Sequence, residues 1–415
     1  VVMWGVQNEV GWNPGFAQFG SDFNVTQDEV VAFNKDLVEL AQIEDPNRLI
    51  VQATIDSYDT ASLTNRWSAS IDLTGVNLYD GFKTPVASAG TSGKQQLAAQ
   101  INEKLDRYKS IYQTPSIMVS EYGSGANTNH HWEVDENFAW NGNEDASHAM
   151  HTEEYQGFVL ETFWDTISKR DDVPASFVWN MFDFSCYRDE GGISRMNTKG
   201  LVNYDHATQK DAYYFFKAVW NDDEPFAHIT SKRFTQRHRA EQDIKVYSNC
   251  DDCVLYVNGK QVGCGVKTQD GVFVWDGVAL DSRAANSIRV VATRDGVQCE
   301  DVVEGITVPQ DELVGQAHVS ELGWLDEKPA GATLGTIGRS LNLESIRLDA
   351  EGPSAGDIEL SAHVQDIGWR AWSAGKAGTT GQARAIEAIR IRLTGDLASR
   401  YDIYYRAHIA DSGWL

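Results

Sequence analysis

Val1-Val2-Met3-Trp4-Gly5-Val6-Gln7-Asn8-Glu9 and Ser116-Ile117-Met118-Val119-Ser120-Glu121-Tyr122-Gly123 decide the fold. Each is a short run of β-forming, mainly apolar residues that carries a glutamate at or near its end. Such runs read as buried parallel strands. In an α/β barrel the C-terminal ends of the strands carry the chemistry, so both carboxylates are expected to emerge there. Two carboxylates delivered by two barrel strands suit the cleavage of a glycosidic bond. A barrel does not normally begin on such a strand, so its front half is expected to be missing from the chain.

Outward from these strands, helices and strands alternate to about residue 222. Thr26-x-x-Glu29 is a capping box, and it opens an amphipathic helix with Val30, Phe33, Leu37 and Leu40 on one face. Leu49-Ile50-Val51 and Leu73-Thr74-Gly75-Val76-Asn77-Leu78-Tyr79 follow as strands. A helix is predicted over 95–112, a polar, Trp-bearing insertion over 124–151 and a second helix over 153–168. Ser176-Phe177-Val178-Trp179-Asn180-Met181 is the last strand, and a helix over 210–220 closes the region. Five such strands match the second half of an eight-stranded barrel. Alone they cannot close, and they leave an apolar edge.

Beyond about residue 225 the pattern shortens to alternating runs with turn signals, among them Val254-Leu255-Tyr256-Val257 followed by Asn258-Gly259. This is a hairpin signature, and a β-sandwich of immunoglobulin-like type is expected to about residue 306. The rest repeats. Ala317-His318-Val319-Ser320-Glu321-Leu322-Gly323-Trp324 returns at 362–369 and again at 407–414, each time 45 residues on. Such a period means tandem modules, with the third cut one residue after its Gly-Trp. The predicted fold is multidomain: a partial (β/α)8 TIM barrel, strands four to eight, over residues 1–222, an all-β sandwich over 223–308 and β-rich tandem repeats over 309–415. The repeated histidines are better explained by a shared fold position than by metal binding.

Composition narrows the function. The 415 residues suffice for two to four domains. A net charge of −25 argues against nucleic acid or an anionic membrane as partner. No apolar run is long enough to span a membrane. The 13 Trp, 15 Tyr and 16 Phe suit stacking against sugar rings, although barrels and sandwiches bury aromatic residues in any case. Four of the five cysteines, Cys250, Cys253, Cys264 and Cys299, fall within fifty residues. Simple packing, a disulfide in an exported protein and a structural zinc all remain open for them. Cys186 stands alone and reads as inert. His130 and His131 fall in the insertion, where a solvated loop is favoured over a place at the pocket rim.

Over residues 1–222 the sequence resembles glycoside hydrolase family 2, the family of β-galactosidases, β-glucuronidases and β-mannosidases. The likeness rests on Trp4-Gly5-Val6-Gln7-Asn8-Glu9, Ser120-Glu121-Tyr122-Gly123, Phe177-Val178-Trp179-Asn180-Met181-Phe182-Asp183-Phe184, Asn197-Thr198-Lys199-Gly200-Leu201-Val202 and Lys210-Asp211-Ala212-Tyr213-Tyr214. The closing blocks are most like those of β-galactosidases. The Gly-Trp segments resemble clostridial hydrophobic repeats, found on exported proteins of Gram-positive bacteria.

The resemblance implies a retaining, exo-acting β-glycosidase. Glu121 would be the nucleophile and Glu9 the acid/base, its pKa raised by the nearby Glu121 charge. Asn8 would contact the sugar 2-hydroxyl, Tyr79 would hydrogen-bond the nucleophile, and Trp179 would wall the sugar pocket. Asn197 and Lys199 resemble the pair with which β-glucuronidases grip a sugar carboxylate, yet their context favours a β-galactoside. Some β-galactosidases of the family use magnesium or sodium near the acid/base, so a metal stays open. The implied substrate is a β-linked oligosaccharide or glycoconjugate, and the repeats imply a secreted or cell-surface location with a surface or protein partner. The competing class is a glycan-binding or anchoring protein on a passive barrel. The isolated segment is expected to be inactive, since half a barrel cannot complete the pocket.

Overall fold

The structure is a computed structural model that describes residues 2–9, 26–56, 71–82, 93–134, 150–187, 192–282, 284–308, 312–351, 356–409 and 413–414. It divides into two compact units, one built mainly from residues up to Ile306 and the other from Thr307 onward.

The first unit is organised on a five-stranded parallel sheet: β1 (Met3–Asn8), β2 (Leu49–Ile55), β3 (Leu73–Leu78), β4 (Met118–Tyr122) and β5 (Ser176–Val178), in chain order. All five expected strands are present. The central β3 is buried at every position, whereas the edge strands leave Trp4 and Phe177 exposed. A parallel order in which each strand pairs with its successor in the chain, with helices returning between β1 and β2, β3 and β4, and β4 and β5, is half of a barrel wall.

Among the described residues four helices belong to this region: α1 (Gln27–Glu44), α2 (Gly93–Tyr112), α3 (Glu153–Ile167) and α4 (Asp211–Trp220). The capping box of α1 forms in full, with Glu29 N donating to Thr26 Oγ1 and Thr26 N donating to Glu29 Oε2. Its buried stripe is Val31, Asn34 and Val38, however, while Phe33 and Leu40 lie exposed. The packed face is thus rotated from the expected one. In α2, Leu97, Ile101, Leu105 and Tyr108 recur at helical spacing and are wholly buried in one core with Val159 and Phe163 of α3. Each such side chain contributes roughly 1.5–3 kcal/mol through the apolar surface it removes from water. Of the predicted insertion, residues 135–149 lie outside the described residues. Its first residues, 124–127, are buried, whereas Asn129 and His130 are exposed.

A short hairpin, β6 (Phe184–Ser185) with β7 (Met196–Asn197), follows the barrel sheet. Then come β8 (Ala227–Ile229), β9 (Glu241–Ser248), β10 (Asp252–Val257), β11 (Lys260–Cys264), β12 (Val266–Gln269), β13 (Val272–Ala279), β14 (Asn286–Arg294) and β15 (Val297–Ile306). They form two four-stranded antiparallel sheets, ordered β11-β10-β14-β15 and β12-β13-β9-β8. The β10–β11 turn falls on Asn258-Gly259, both left-handed at φ 54° and 76°, as an Asn-Gly hairpin requires. Tyr247, Val272 and Val274 join the core that holds Phe215 and Phe216 of α4, so this β-region packs directly on the helical layer.

The five cysteines are free. Cys250 and Cys299 approach to 3.9 Å, a thiol–thiol hydrogen bond rather than a disulfide. Burial pushes the Cys253 and Cys299 thiols up to about 12, so both stay protonated and pack as small apolar groups.

In the second unit, β16 (Glu312–Val319), β17 (Gly323–Trp324), β18 (Lys328–Pro329) and β19 (Leu343–Glu351) form the first repeat. The second has β20 (Ile358–Val364), β21 (Gly368–Trp369), β22 (Ser373–Ala374), β23 (Lys376–Gly378) and β24 (Ile386–Leu393). The helix α5 (Gly395–Arg400) and the pair β25 (His408–Ile409) and β26 (Gly413–Trp414) follow. The recurring motif is a tight turn that pairs His318 with Trp324, His363 with Trp369 and His408 with Trp414. Its glycines, Gly323, Gly368 and Gly413, have φ of 79°, 85° and 78°, which explains why Gly precedes Trp each time. His318 and His363 meet Glu344 and Glu387 at 2.9 and 2.8 Å.

Candidate active site

β3 sets the centre of the site. Among its buried residues stands Asn77, 1% exposed, and a buried amide must find partners for its donors and its acceptor. Its Nδ2 donates to Asn8 Oδ1 at 3.1 Å and to Glu9 Oε1 at 2.9 Å, and its Oδ1 accepts from Ser120 Oγ at 2.7 Å. One amide therefore ties the end of β1 to β4.

Glu9 lies at the end of β1, where its N–H donates to Ala53 O at 2.9 Å. Its φ of 54° is left-handed, uncommon for a residue with a side chain. This conformation ends the strand at the point where the carboxylate meets Asn77. Across the β3–β4 pair, Glu121 stands opposite Asn77. Tyr79, just past β3, donates from its hydroxyl to Glu121 Oε2 at 2.5 Å. This is the contact expected of Tyr79.

Burial pushes the Glu121 carboxyl up to about 7. The bonds from Tyr79 and Asn77 and the charge of Lys199 oppose that rise, and the charge of Glu9 adds to it. Burial is thus the main cause of the rise at Glu121, the expected nucleophile. Lys199 is buried, with its ammonium 4.0 Å over the Phe82 ring and 5.4 Å over the Tyr79 ring. Asn197 sits beside it, its Oδ1 accepting from Lys199 N at 3.1 Å.

The last wall is the stretch after β5. Trp179 N donates to Tyr122 O, Asn180 N to Lys199 O and Leu201 N to Asn180 O, so residues 179–180 and 199–201 interlock. The Trp179–Asn180 peptide is cis, and the Trp179 ring meets Phe184 edge-on at 6.1 Å. Gly123 permits this approach, since a β-carbon there would lie 2.2 Å from Trp179 O. The structure thus links Glu9, Asn8, Tyr79 and Glu121 by hydrogen bonds around Asn77, and it places Lys199, Asn197 and Trp179 along the adjoining wall.

Two supporting residues escaped sequence reading. Lys210, wholly buried, donates to Asp183 Oδ1, Ala126 O and Thr198 O at 2.8–2.9 Å. Asp183 Oδ1 also accepts from Gly200 N at 2.9 Å. The pair therefore holds the loop that presents Lys199 from both ends. Asn77 was missed as well. Its signal was a lone amide in an otherwise apolar central strand.

His131 does not reach this site. It pairs with Glu154 at 3.1 Å and stacks on Phe234, so it is packed rather than solvated. Among the described residues no group of three His, Cys, Asp or Glu converges on one point.

Over 300 residues the chain is 32% identical to a β-glucuronidase of Bacteroides fragilis, an alignment covering 70% of this chain. The homologues of this chain are glycoside hydrolases. Among solved structures, an FMN-binding β-glucuronidase from Facaelibacterium prausnitzii L2-6 is 31% identical at a TM-score of 0.56, covering 73% of this chain and 41% of that one. A putative β-galactosidase from Bacteroides fragilis is 26% identical at a TM-score of 0.58, covering 74% and 41%. The chain spans about a third of the length of the curated relatives it matches, 36% and 31%. The family model for clostridial hydrophobic W matches residues 318–352 and 363–395. No helix among the described residues is long and apolar enough to cross a membrane.

Proposed function

We propose that this chain carries both catalytic carboxylates of a retaining β-glycosidase. The observation that carries the reading is Asn77, whose amide bonds Glu9 and stands opposite Glu121, gathering both glutamates into one network. In the first step the Glu121 carboxylate attacks the anomeric carbon while Glu9 gives its proton to the departing oxygen. In the second, Glu9 takes a proton from water, the water oxygen attacks the anomeric carbon, and the bond to Glu121 breaks. The Tyr79 hydroxyl holds the attacking carboxylate in place and favours its ionised form.

For the sugar we favour a β-glucuronide. Lys199 puts a buried ammonium near enough to Glu121 to act on its ionisation, and an ammonium there suits a substrate carboxylate. The named β-glucuronidases among the relatives support the same choice. A β-galactoside is the second reading, supported by the sequence around Lys199 and by the putative β-galactosidase. The repeats are read as the means of attachment to a surface or partner.

The test is hydrolysis of chromogenic β-glucuronide and β-galactoside by the natural full-length protein, with Glu121→Gln alongside. Turnover of the glucuronide, lost in the variant with glycan binding intact, is expected. Turnover retained by Glu121→Gln would refute the assignment. Glycan binding without turnover in the unaltered protein would favour the passive-barrel alternative.

A further inference from the structure

The two complete repeats are alike in sequence and unlike in burial. Glu344-Ser345-Ile346-Arg347 of β19 corresponds to Glu387-Ala388-Ile389-Arg390 of β24. Each strand pairs on one side with the histidine-bearing strand of its own repeat, β16 or β20. On its other side β19 takes a strand from the next repeat: Ser345 pairs with Gly378, Ile346 with Ala377 and Arg347 with Lys376 of β23. The first repeat's sheet is completed by its successor.

The lent strand fits closely. Thr379 N donates to Glu344 O at 2.7 Å, Leu348 N to Gly375 O at 3.0 Å, and Ser345 Oγ to Ala377 O at 2.7 Å. Gly381 N reaches the Glu344 carboxylate at 2.9 Å. Gly378, at φ 100°, cannot be replaced cheaply, because a β-carbon there would lie 2.2 Å from Glu344 O.

Among the described residues β24 has no such neighbour. The Glu344 side chain is 2% exposed and that of its counterpart Glu387 is 49% exposed. Ser345 is fully buried, whereas Ala388 is exposed. The direction of the backbone groups is also settled. Ala362 O is taken by Arg370 N on the far side of β20, so Ile389, which stands opposite Ala362, turns its N–H and C=O away from β20. At that outer edge the Tyr405 hydroxyl donates to Ile389 O at 3.1 Å, a side chain standing where a strand would donate.

We propose that the outer edge of β24, from Glu387 to Ile391, is a strand-acceptor site. Its occupant is an extended segment of another repeat of this kind, with the Ala-Gly-Thr sequence of β23. Main-chain hydrogen bonds provide the affinity, as in other strand additions, and the demand for glycine at the closest approach provides the selectivity. An open edge of this kind is otherwise an aggregation hazard.

The test uses a fluorescent synthetic peptide of residues 373–384 titrated with the 415-residue chain. Saturable binding is expected, with slowed hydrogen exchange at Ile389 and Ile391. Ile389→Pro removes an outward N–H without touching the ladder to β20, and is expected to weaken binding at least about tenfold. A peptide carrying Gly378→Ala is expected not to bind the unaltered chain. That control holds even if the proline variant fails to fold. Absence of saturable binding, or binding that survives the glycine change, would overturn the proposal.

Discussion

Asn77 Nδ2 lies 2.9 Å from Glu9 Oε1, and the residue facing Asn77 across the next strand pair is Glu121. A neutral amide is well suited to that position. It can fix one carboxylate and favour ionisation of the other without adding a charge that would fully suppress either proton equilibrium. Asn77→Leu keeps the volume and removes the bonds. Ser120 Oγ and Glu9 then lose their partner, which should cost about 1–3 kcal/mol of stability. Turnover should fall about a hundredfold or more, as for other lost positioning contacts. Thermal unfolding and steady-state kinetics on the natural full-length protein would measure the two effects separately.

The raised Glu121 carboxyl gives the pH profile a definite sign. Below pH about 7 the group takes up a proton and cannot attack, so kcat/KM should fall about tenfold per pH unit on the acid side. Tyr79→Phe removes a bond that favours the ionised form, so the acid limb should move to higher pH as the rate drops. An unmoved limb would show that another group governs it.

The same shift bears on stability. Folded Glu121 holds its proton more tightly than an ordinary glutamate at 4.5. Its stabilising contribution is full below pH 4.5 and disappears as pH rises through about 7. Glu121→Gln should therefore raise Tm at pH 8 relative to the unaltered chain and gain much less at pH 4. Calorimetry at the two pH values decides it.

Asp183 and Lys210 form a buried pair at 2.8 Å whose remaining bonds clamp the loop carrying Lys199. Lys210→Met leaves the carboxylate unpaired and should destabilise by about 3–5 kcal/mol. Changing Asp183→Leu in the same chain should recover part of that loss. Denaturant unfolding of the single and double variants would show whether the recovery occurs.

Lys199→Gln separates the two sugar readings. If the ammonium meets a substrate carboxylate, hydrolysis of a β-glucuronide should fall at least about a hundredfold, with the β-galactoside rate much less affected. An equal loss on both substrates would point to a role through Glu121 instead.

The legible parts of this molecule were those written in contiguous residues. The five strands, the Thr26–Glu29 cap, the Asn258-Gly259 hairpin and the Gly-Trp turns each depend on neighbours in the chain. The face of α1 was not legible. Phe33 and Leu40 make as good an apolar stripe as Val31 and Val38, and only the surrounding structure chooses between them. The same holds for the proton on Glu121, which follows from depth of burial, and for Lys210, whose partners come from residues 126, 183 and 198. Tyr79 was found only because a known family writes it at the same place.

Lys210 has one more consequence. With none of its surface open to solvent and its amine bonded to three oxygens, it is hidden from acylating reagents that mark ordinary lysines. Its amine can react only when the segment over residues 197–200 lifts or the half-barrel unfolds. The time course of its modification, followed by mass spectrometry, would therefore clock the opening of the wall that carries Lys199, and the molecule carries that timer in its own sequence.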